Sequence, residues 1–396
     1  MMPLAIASYT ATSALGRGLA ATRAALEERR SGLFPCDFED VERGHIGRVA
    51  GLEDEKLPEI FARYDCRNNR LAWVGLRQDA FLAAAASARD RYGAARVAVV
   101  LGTSTSGILA TEHAYRRRDP KTGALPADFD FERTHDLLSV SRFVREALGL
   151  RGPAITVSTA CSSSAQTFGR AAHLIAAGVV DAAVVGGVDS LCQTTLRGFA
   201  SLELIAPGRC RPCDAERDGI SIGEAAGFAL LERPGAGAPR EGISLLGFGA
   251  SADAHHMSAP HPGGDGARLA MTAALAGAGL RREDIDYVNL HGTGSRTNDA
   301  AEDAALVAVF GPGKPCSSTK GWTGHALGAA GILEMAISAQ ALVHGFVPGC
   351  LGVSRVDPAL RSEVLTENDR RPLRAVLSNS LGFGGNNCSL ILGAAA

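Results

Sequence analysis

Short, uninterrupted apolar runs, separated by longer stretches of helical spacing, constrain this chain most. Residues 96–101, Arg-Val-Ala-Val-Val-Leu, form one run and end in the Gly/Thr/Ser segment 102–107. Residues 154–158 and 182–185 form two more, the second closed by Gly186 and Gly187. A strand that is apolar at nearly every position has both faces covered. These runs therefore predict an α/β fold with a mostly parallel sheet between layers of helices. The opening Met-Met-Pro-Leu-Ala-Ile reads as a first strand. Residues 233–240, rich in Pro and Gly, read as a linker. Beyond it the plan repeats. Strands are predicted at 244–250, 285–290 and 315–319, and a Gly/Ala-rich helix at 323–342. Two more strands flank a glycine turn, at 374–379 and 388–392. The repetition is one of architecture and not of sequence. It suggests two halves, 1–236 and 237–396.

With 396 residues and 46% hydrophobic content, the chain can bury a large core. A net charge of −2 gives no reason to expect nucleic acid or an anionic membrane as partner. Nine scattered cysteines fit a reducing compartment better than a disulfide framework. No apolar run reads as a membrane span. The N-terminus lacks the basic flank of a signal peptide. The expectation is a cytoplasmic protein. The Arg116-Arg117-Arg118 run reads as a solvated loop. Segment 102–107 has neither the Lys of a P-loop nor a dinucleotide fingerprint, so no phosphate is assigned to it.

Cys161 stands where the run 154–158 gives way to helical spacing at Ala165, Phe168, Ala172 and Ile175. A thiol at a helix N-terminus feels unpaired N–H groups and the helix dipole, which favour a thiolate. It is either a nucleophile or a small buried hydrophobe, and the residue alone does not choose. His291 closes a predicted strand in His-Gly-Thr-Gly-Ser, and His325 lies in Lys-Gly-Trp-Thr-Gly-His near a helix start. Strand ends in α/β sheets are where ligands are met. A cysteine and two such histidines supply the parts of covalent carbonyl chemistry. The Gly382-Phe-Gly-Gly-Asn loop could bring N–H groups to an oxyanion, or be a plain hairpin turn.

Taken together, these segments resemble an elongating β-ketoacyl-carrier-protein synthase of the thiolase-like superfamily. The likeness rests on Thr-Ala-Cys-Ser-Ser-Ser around Cys161, His-Gly-Thr-Gly from 291 and Lys-Gly-Trp-Thr-Gly-His from 320. Gly-Ala-Ala-Gly from 328, Gly-Phe-Gly-Gly-Asn from 382, residues 217–224 and residues 252–262 extend it over nearly the whole chain. The resemblance implies a five-layer αβαβα fold of two pseudo-symmetric halves, and a dimer. By the same likeness, Cys161 would accept the acyl group, its N–H and that of Phe383 would form the oxyanion hole, and Phe383 would gate the site. His291 and His325 would drive decarboxylation of a malonyl group. Lys320 would tune their field, with Glu334 as its buried acid and Thr293 and Ser295 in support. The expected product is a chain two carbons longer. The Cys-His-His set differs from the Cys-His-Asn of priming relatives and the Cys-His-Cys of degradative thiolases. The resemblance implies no cofactor and no metal. Its partner would be an acidic acyl carrier protein.

Val188-Asp-Ser-Leu-Cys192 and residues 219–226 are similar to ketosynthases of aryl-polyene clusters, whose active subunit pairs with a chain-length-factor subunit. General type II fatty-acid elongation is the alternative. A third reading is a non-catalytic chain-length-factor subunit, which would lack the cysteine. Cys210-Arg-Pro-Cys213 has no second pair for zinc and reads as a loop substitution. Leu381 and Trp322 depart from the family's usual residues and are expected to reshape the pocket. His255, His256 and His261 could hold a metal, but the resemblance makes their loop structural.

Overall fold

The computed structural model describes residues 1–234 and 242–394, and the predicted runs fall in two halves, alike in topology, of one twelve-stranded sheet. In the first, β1 (Leu4–Ser13), β2 (Val97–Gly102), β3 (Ala154–Val157), β4 (Ala182–Asp189) and β5 (Ala225–Glu232) lie in the order 3-2-4-5-1. β2 runs parallel to β3 and β4, whereas β5 is antiparallel to β4 and β1. The second contains β6 (Ile243–Ala252), β7 (Tyr287–Asn289), β8 (Pro315–Ser317), β9 (Ala375–Gly382) and β10 (Asn386–Ala394), in the order 8-7-9-10-6. Its strand senses are the same. Adding five to each label of one half generates the other. β1 pairs antiparallel with β6 from Leu4–Leu245 to Ile6–Ile243, joining the two edges. The expected boundary at 236/237 and most of the 233–240 linker lie outside the described residues.

Side-chain alternation along β2 shows how the layers stack. Val97, Val99 and Leu101 pack with Leu71, Phe81 and Phe143 of α1 (Arg67–Leu76), α2 (Phe81–Tyr92) and α3 (Ser139–Ala147). Ala98 and Val100 face the other way, onto Phe168 and Ile175 of α4 (Ser163–Ala176). On the second half, Val288 and Leu377 pack with Met271 and Leu306 of α5 (Asp265–Ala278) and α6 (Arg296–Phe310). Its opposite face brings Leu390 and Leu392 against α4 and α7 (Ala330–His344). The result is the five-layer αβαβα fold, with α4 and α7 as the shared central layer.

Close approach in that layer explains one departure from expectation. Gly186 and Gly187 do not end the third run, because β4 continues to Asp189. A Cβ on Gly187 would lie 2.8 Å from the Ser164 Cβ, so glycine lets α4 rest on the sheet. One on Gly331 would lie 2.8 Å from Ala165, which sets how near α7 comes to α4. β5 was not among the predicted strands; its Ala-Ala-Gly-Phe-Ala-Leu-Leu-Glu has little β propensity and is held by pairing on both sides.

The predicted helix 323–342 also starts late. Gly324 at φ 73° and Leu327 at φ 51° break it, so α7 begins at Ala330 and His325 stands in an irregular segment. Residues Leu327–His344 do have the length and mean hydropathy, 1.3, of a membrane span, which corrects the sequence expectation. They are 78% buried between the two halves of the sheet, as a core helix is. Arg116 and Arg117 are exposed and pair with Glu39 and Asp128.

Candidate active site

β3 delivers the chain to a tight turn ahead of α4. Ala160 there has φ 52°, a left-handed conformation that costs a non-glycine residue energy. Its carbonyl accepts from Ser163 Oγ at 2.6 Å and from Ser104 Oγ at 3.2 Å. Cys161 follows, buried, with Sγ 2.9 Å from His325 Nε2. His325 is fixed by its backbone: its N–H donates to the Ser221 carbonyl, and its carbonyl accepts from Gly223 N–H. His291 follows β7, its ring centroid 5.1 Å from that of His325 at an interplanar angle of 83°.

Lys320 organises the pair. Its buried ammonium donates to the His291 carbonyl and to Glu334 Oε1, and lies 3.3 Å from His291 Nδ1. An ammonium has no lone pair, so His291 Nδ1 must accept, and the ring carries its proton on Nε2. Burial and Lys320 hold both histidines well below the usual imidazole range, so both are neutral near pH 7. Burial pushes the Glu334 carboxyl up to about 7 against the opposing pull of Lys320.

Burial also pushes the Cys161 thiol up to about 11, although Lys320 and the Phe383 N–H directed at its sulfur favour the thiolate. This corrects the expectation from the helix N-terminus: the resting thiol is protonated, and His325 is the group placed to take its proton. Alkylation by iodoacetamide should therefore accelerate with pH, the thiolate fraction rising about tenfold per unit below about 11. The mass of the Cys161 peptide measures this, and a rate already flat by about pH 8 would show a preformed thiolate.

A cleft reaches these groups, with Phe199, Leu381 and Phe383 as apolar walls. Thr293 and Ser295 line it too, their hydroxyl oxygens 3.0 Å apart. Gly384 at φ 77° and Gly385 at φ 75° bend the Phe383 loop, and the Phe383 ring lies 5.6 Å from that of Phe199. The ligand atoms of Cys161, His291 and His325 lie within 4.8 Å of one another, close enough to chelate. The neighbouring Lys320 ammonium opposes a divalent cation there.

Two family descriptions match the chain: "Beta-ketoacyl synthase, N-terminal domain" over residues 71–235 and "Beta-ketoacyl synthase, C-terminal domain" over 243–354. It belongs to the β-ketoacyl synthase family. Nodulation protein E of Rhizobium meliloti is 37% identical over 75% of each chain. The 3-oxoacyl-[acyl-carrier-protein] synthase 2 of Vibrio cholerae is 34% identical over 75% of this chain and 76% of its own. Among solved structures, the ketosynthase (ApeO) in complex with its chain length factor (ApeC) from Xenorhabdus doucetiae is 37% identical. It has a TM-score of 0.90 and covers 100% of this chain and 98% of that one. The protein is a condensing acyltransferase.

In this synthase two acids outside the expected set shape the site. Glu302 on α6 accepts from the N–H groups of His291 and Gly292, each at 2.8 Å, and from Asn379 Nδ2 at 3.1 Å. Burial pushes its carboxyl up to about 7. Asp189 ends β4 and collects the 103–105 loop. Asp189 carried a signal, as the acid that closes an otherwise apolar run; Glu302, beside Asp303 in Ala-Ala-Glu-Asp-Ala-Ala, carried none.

Other sequence expectations change. The 252–262 loop is more than structural, since Ser258, Ala259 and Pro260 line the cleft and Met257 carbonyl accepts from Gly384 N–H at 2.7 Å. Among the described residues, the His255/His256/His261 group does not bring three ligand atoms together. Trp322 faces away from the cleft, buried in the core with its indole N–H donating to Gly349 carbonyl at 2.9 Å. Cys210 and Cys213 are buried; Cys210 Sγ donates to the Lys320 carbonyl, and Cys213 N–H to Asp299.

Proposed function

We propose that this synthase extends a carrier-bound acyl chain by two carbons through a thioester on Cys161. The observation that carries the reading is the 2.9 Å contact between Cys161 Sγ and His325 Nε2, beside a His291 that holds its proton on Nε2. In the first step the S–H proton passes to His325 and sulfur attacks the acyl thioester. The tetrahedral oxyanion lies toward the N–H groups of Cys161 and Phe383, and its collapse releases the carrier thiol with that proton. In the second step malonyl-carrier loses CO2. The electron pair of the broken C–C bond passes into an enolate, whose oxygen accepts from His291 Nε2–H and from His325, which for this step has moved its proton to Nε2. The carbanion attacks the acyl carbonyl, the sulfur leaves as a thiolate that takes up a proton from solvent, and a 3-oxoacyl-carrier product forms.

The substrate class is an acyl chain of aryl-polyene type, with a chain-length-factor-like subunit as partner and the cytoplasm as location. Residues 188–192 and the full-length likeness to a ketosynthase solved with its chain length factor support this. So does β3, an edge strand whose four residues are only half-buried in the isolated chain. A homodimer in fatty-acid elongation is the second reading, favoured by the 3-oxoacyl-[acyl-carrier-protein] synthase 2 relative. Cys161, His291 and His325 all stand in place, which opposes a non-catalytic partner role.

Intact-mass spectrometry tests the reading. Octanoyl-carrier should add one acyl mass at Cys161, and malonyl-carrier should then discharge it as a 3-oxoacyl product. Polyenoyl primers preferred over octanoyl would select the polyene pathway; loading at a residue other than Cys161 would sink the mechanism.

A further inference from the structure

Asp189 is a fully buried carboxylate at the end of β4 with no ion-pair partner among the described residues. Its Oδ1 accepts from Thr103 Oγ1 at 2.6 Å, Ser104 N–H at 2.8 Å, and Thr105 N–H and Oγ1, both at 2.9 Å. Its Oδ2 accepts from Gly328 N–H at 2.6 Å. The two ends of this cluster lead to the two reacting groups. Ser104 Oγ reaches the carbonyl of Ala160, the strained residue before Cys161. Gly328 follows Leu327, at φ 51°, in the irregular segment that carries His325.

Left-handed backbone at a non-glycine residue persists only where its surroundings over-determine it. Here one carboxylate anchors a chain of contacts that reaches both strained segments, through Ser104 to Ala160 and through Gly328 to Leu327. We propose that Asp189 is the positioning residue that fixes the Cys161–His325 separation, tying the turn before the thiol to the turn after the imidazole. This rests on the acyl-transfer role given to Cys161. The anion also has an electrostatic consequence. The charges facing Cys161 are Lys320, which favours the thiolate, and Asp189 and Glu334, which oppose it; His291 and His325 are neutral.

Asp189→Asn keeps the size, loses the charge, and turns an amide toward donors, so Gly328 or the 103–105 loop must release. Misplacing a reacting group by about 1 Å costs on the order of 10²-fold. Acyl loading from octanoyl-carrier should fall by about that factor, while the pH midpoint of Cys161 alkylation moves down because an opposing charge is gone. Loosened packing would lower it too by hydrating the thiol, so Ser104→Ala separates the two effects. Ser104→Ala cuts only the tether to Ala160; it should slow loading about tenfold and leave the midpoint in place.

A folded Asp189→Asn protein that loads at the wild-type rate, or whose midpoint does not fall, overturns the proposal. If that variant fails to fold by circular dichroism, Ser104→Ala decides, and wild-type loading by it overturns the proposal. Should the wild-type protein itself take up no acyl group, the role of Cys161 fails. The alkylation comparison, which needs no acyl substrate, then decides the placement of Asp189 separately.

Discussion

Cys161→Ala protein is expected to gain no acyl mass from octanoyl-carrier under conditions that load the wild-type enzyme fully. The loss should be on the order of 10⁶-fold, the scale on which covalent catalysis falls when its nucleophile is removed. No neighbouring hydroxyl can take over. Ser162 Oγ donates to the Thr159 carbonyl at 2.9 Å, and Ser163 Oγ to the Ala160 carbonyl at 2.6 Å. Both are committed to holding the turn, and among the described residues neither hydrogen-bonds to an imidazole. The second half-reaction should survive in this variant. In the proposed mechanism decarboxylation rests on His291, His325 and Lys320; of these only the His325 ring contacts the sulfur, and its backbone is held independently by Ser221 and Gly223. Release of CO2 without acyl loading would separate the two steps in one protein. Acyl uptake by Cys161→Ala would remove the thioester from the mechanism.

The residues of this site were more legible in the sequence than their electrostatics. Apolar runs located most strands because parallel strands buried on both faces are apolar throughout. Glycine-flanked histidines located the loops because such loops follow strand ends. β5 escaped because its Ala and Gly residues carry no β signal; its pairing between β4 and β1 makes it a strand. Gly186 and Gly187 misled for the opposite reason: one lies against the Gly227 carbonyl of the next strand and the other against α4, and neither makes a turn. The protonation state of Cys161 was not legible at all. A helix N-terminus can be read from residue spacing, but desolvation depends on everything packed around the thiol. Glu302 and Asp189 likewise act on backbone N–H groups that long-range folding brings to them, 10 residues away at Gly292 and 139 away at Gly328.

His291→Ala and His325→Ala should fail at different points, and the geometry says where. In His291→Ala the surrounding loop keeps its supports, because Glu302 holds the backbone N–H of residue 291 and Lys320 donates to its backbone carbonyl. Only the imidazole is lost. Cys161 retains His325 as proton acceptor, so acyl loading should stay within about tenfold of wild type. Condensation loses one of two enolate donors and should drop by about 10²–10³. With both carriers present, the acyl-enzyme should therefore accumulate. In His325→Ala the thiol, held near 11 by burial, loses its proton acceptor as well. Loading itself should slow by about 10²–10⁴, and no acyl-enzyme should build up. Intact mass of each variant, with both carriers supplied, reads the two patterns directly. Full loading of His325→Ala at neutral pH would mean that another group takes the thiol proton. Wild-type turnover by His291→Ala would mean that a single imidazole suffices to carry the enolate.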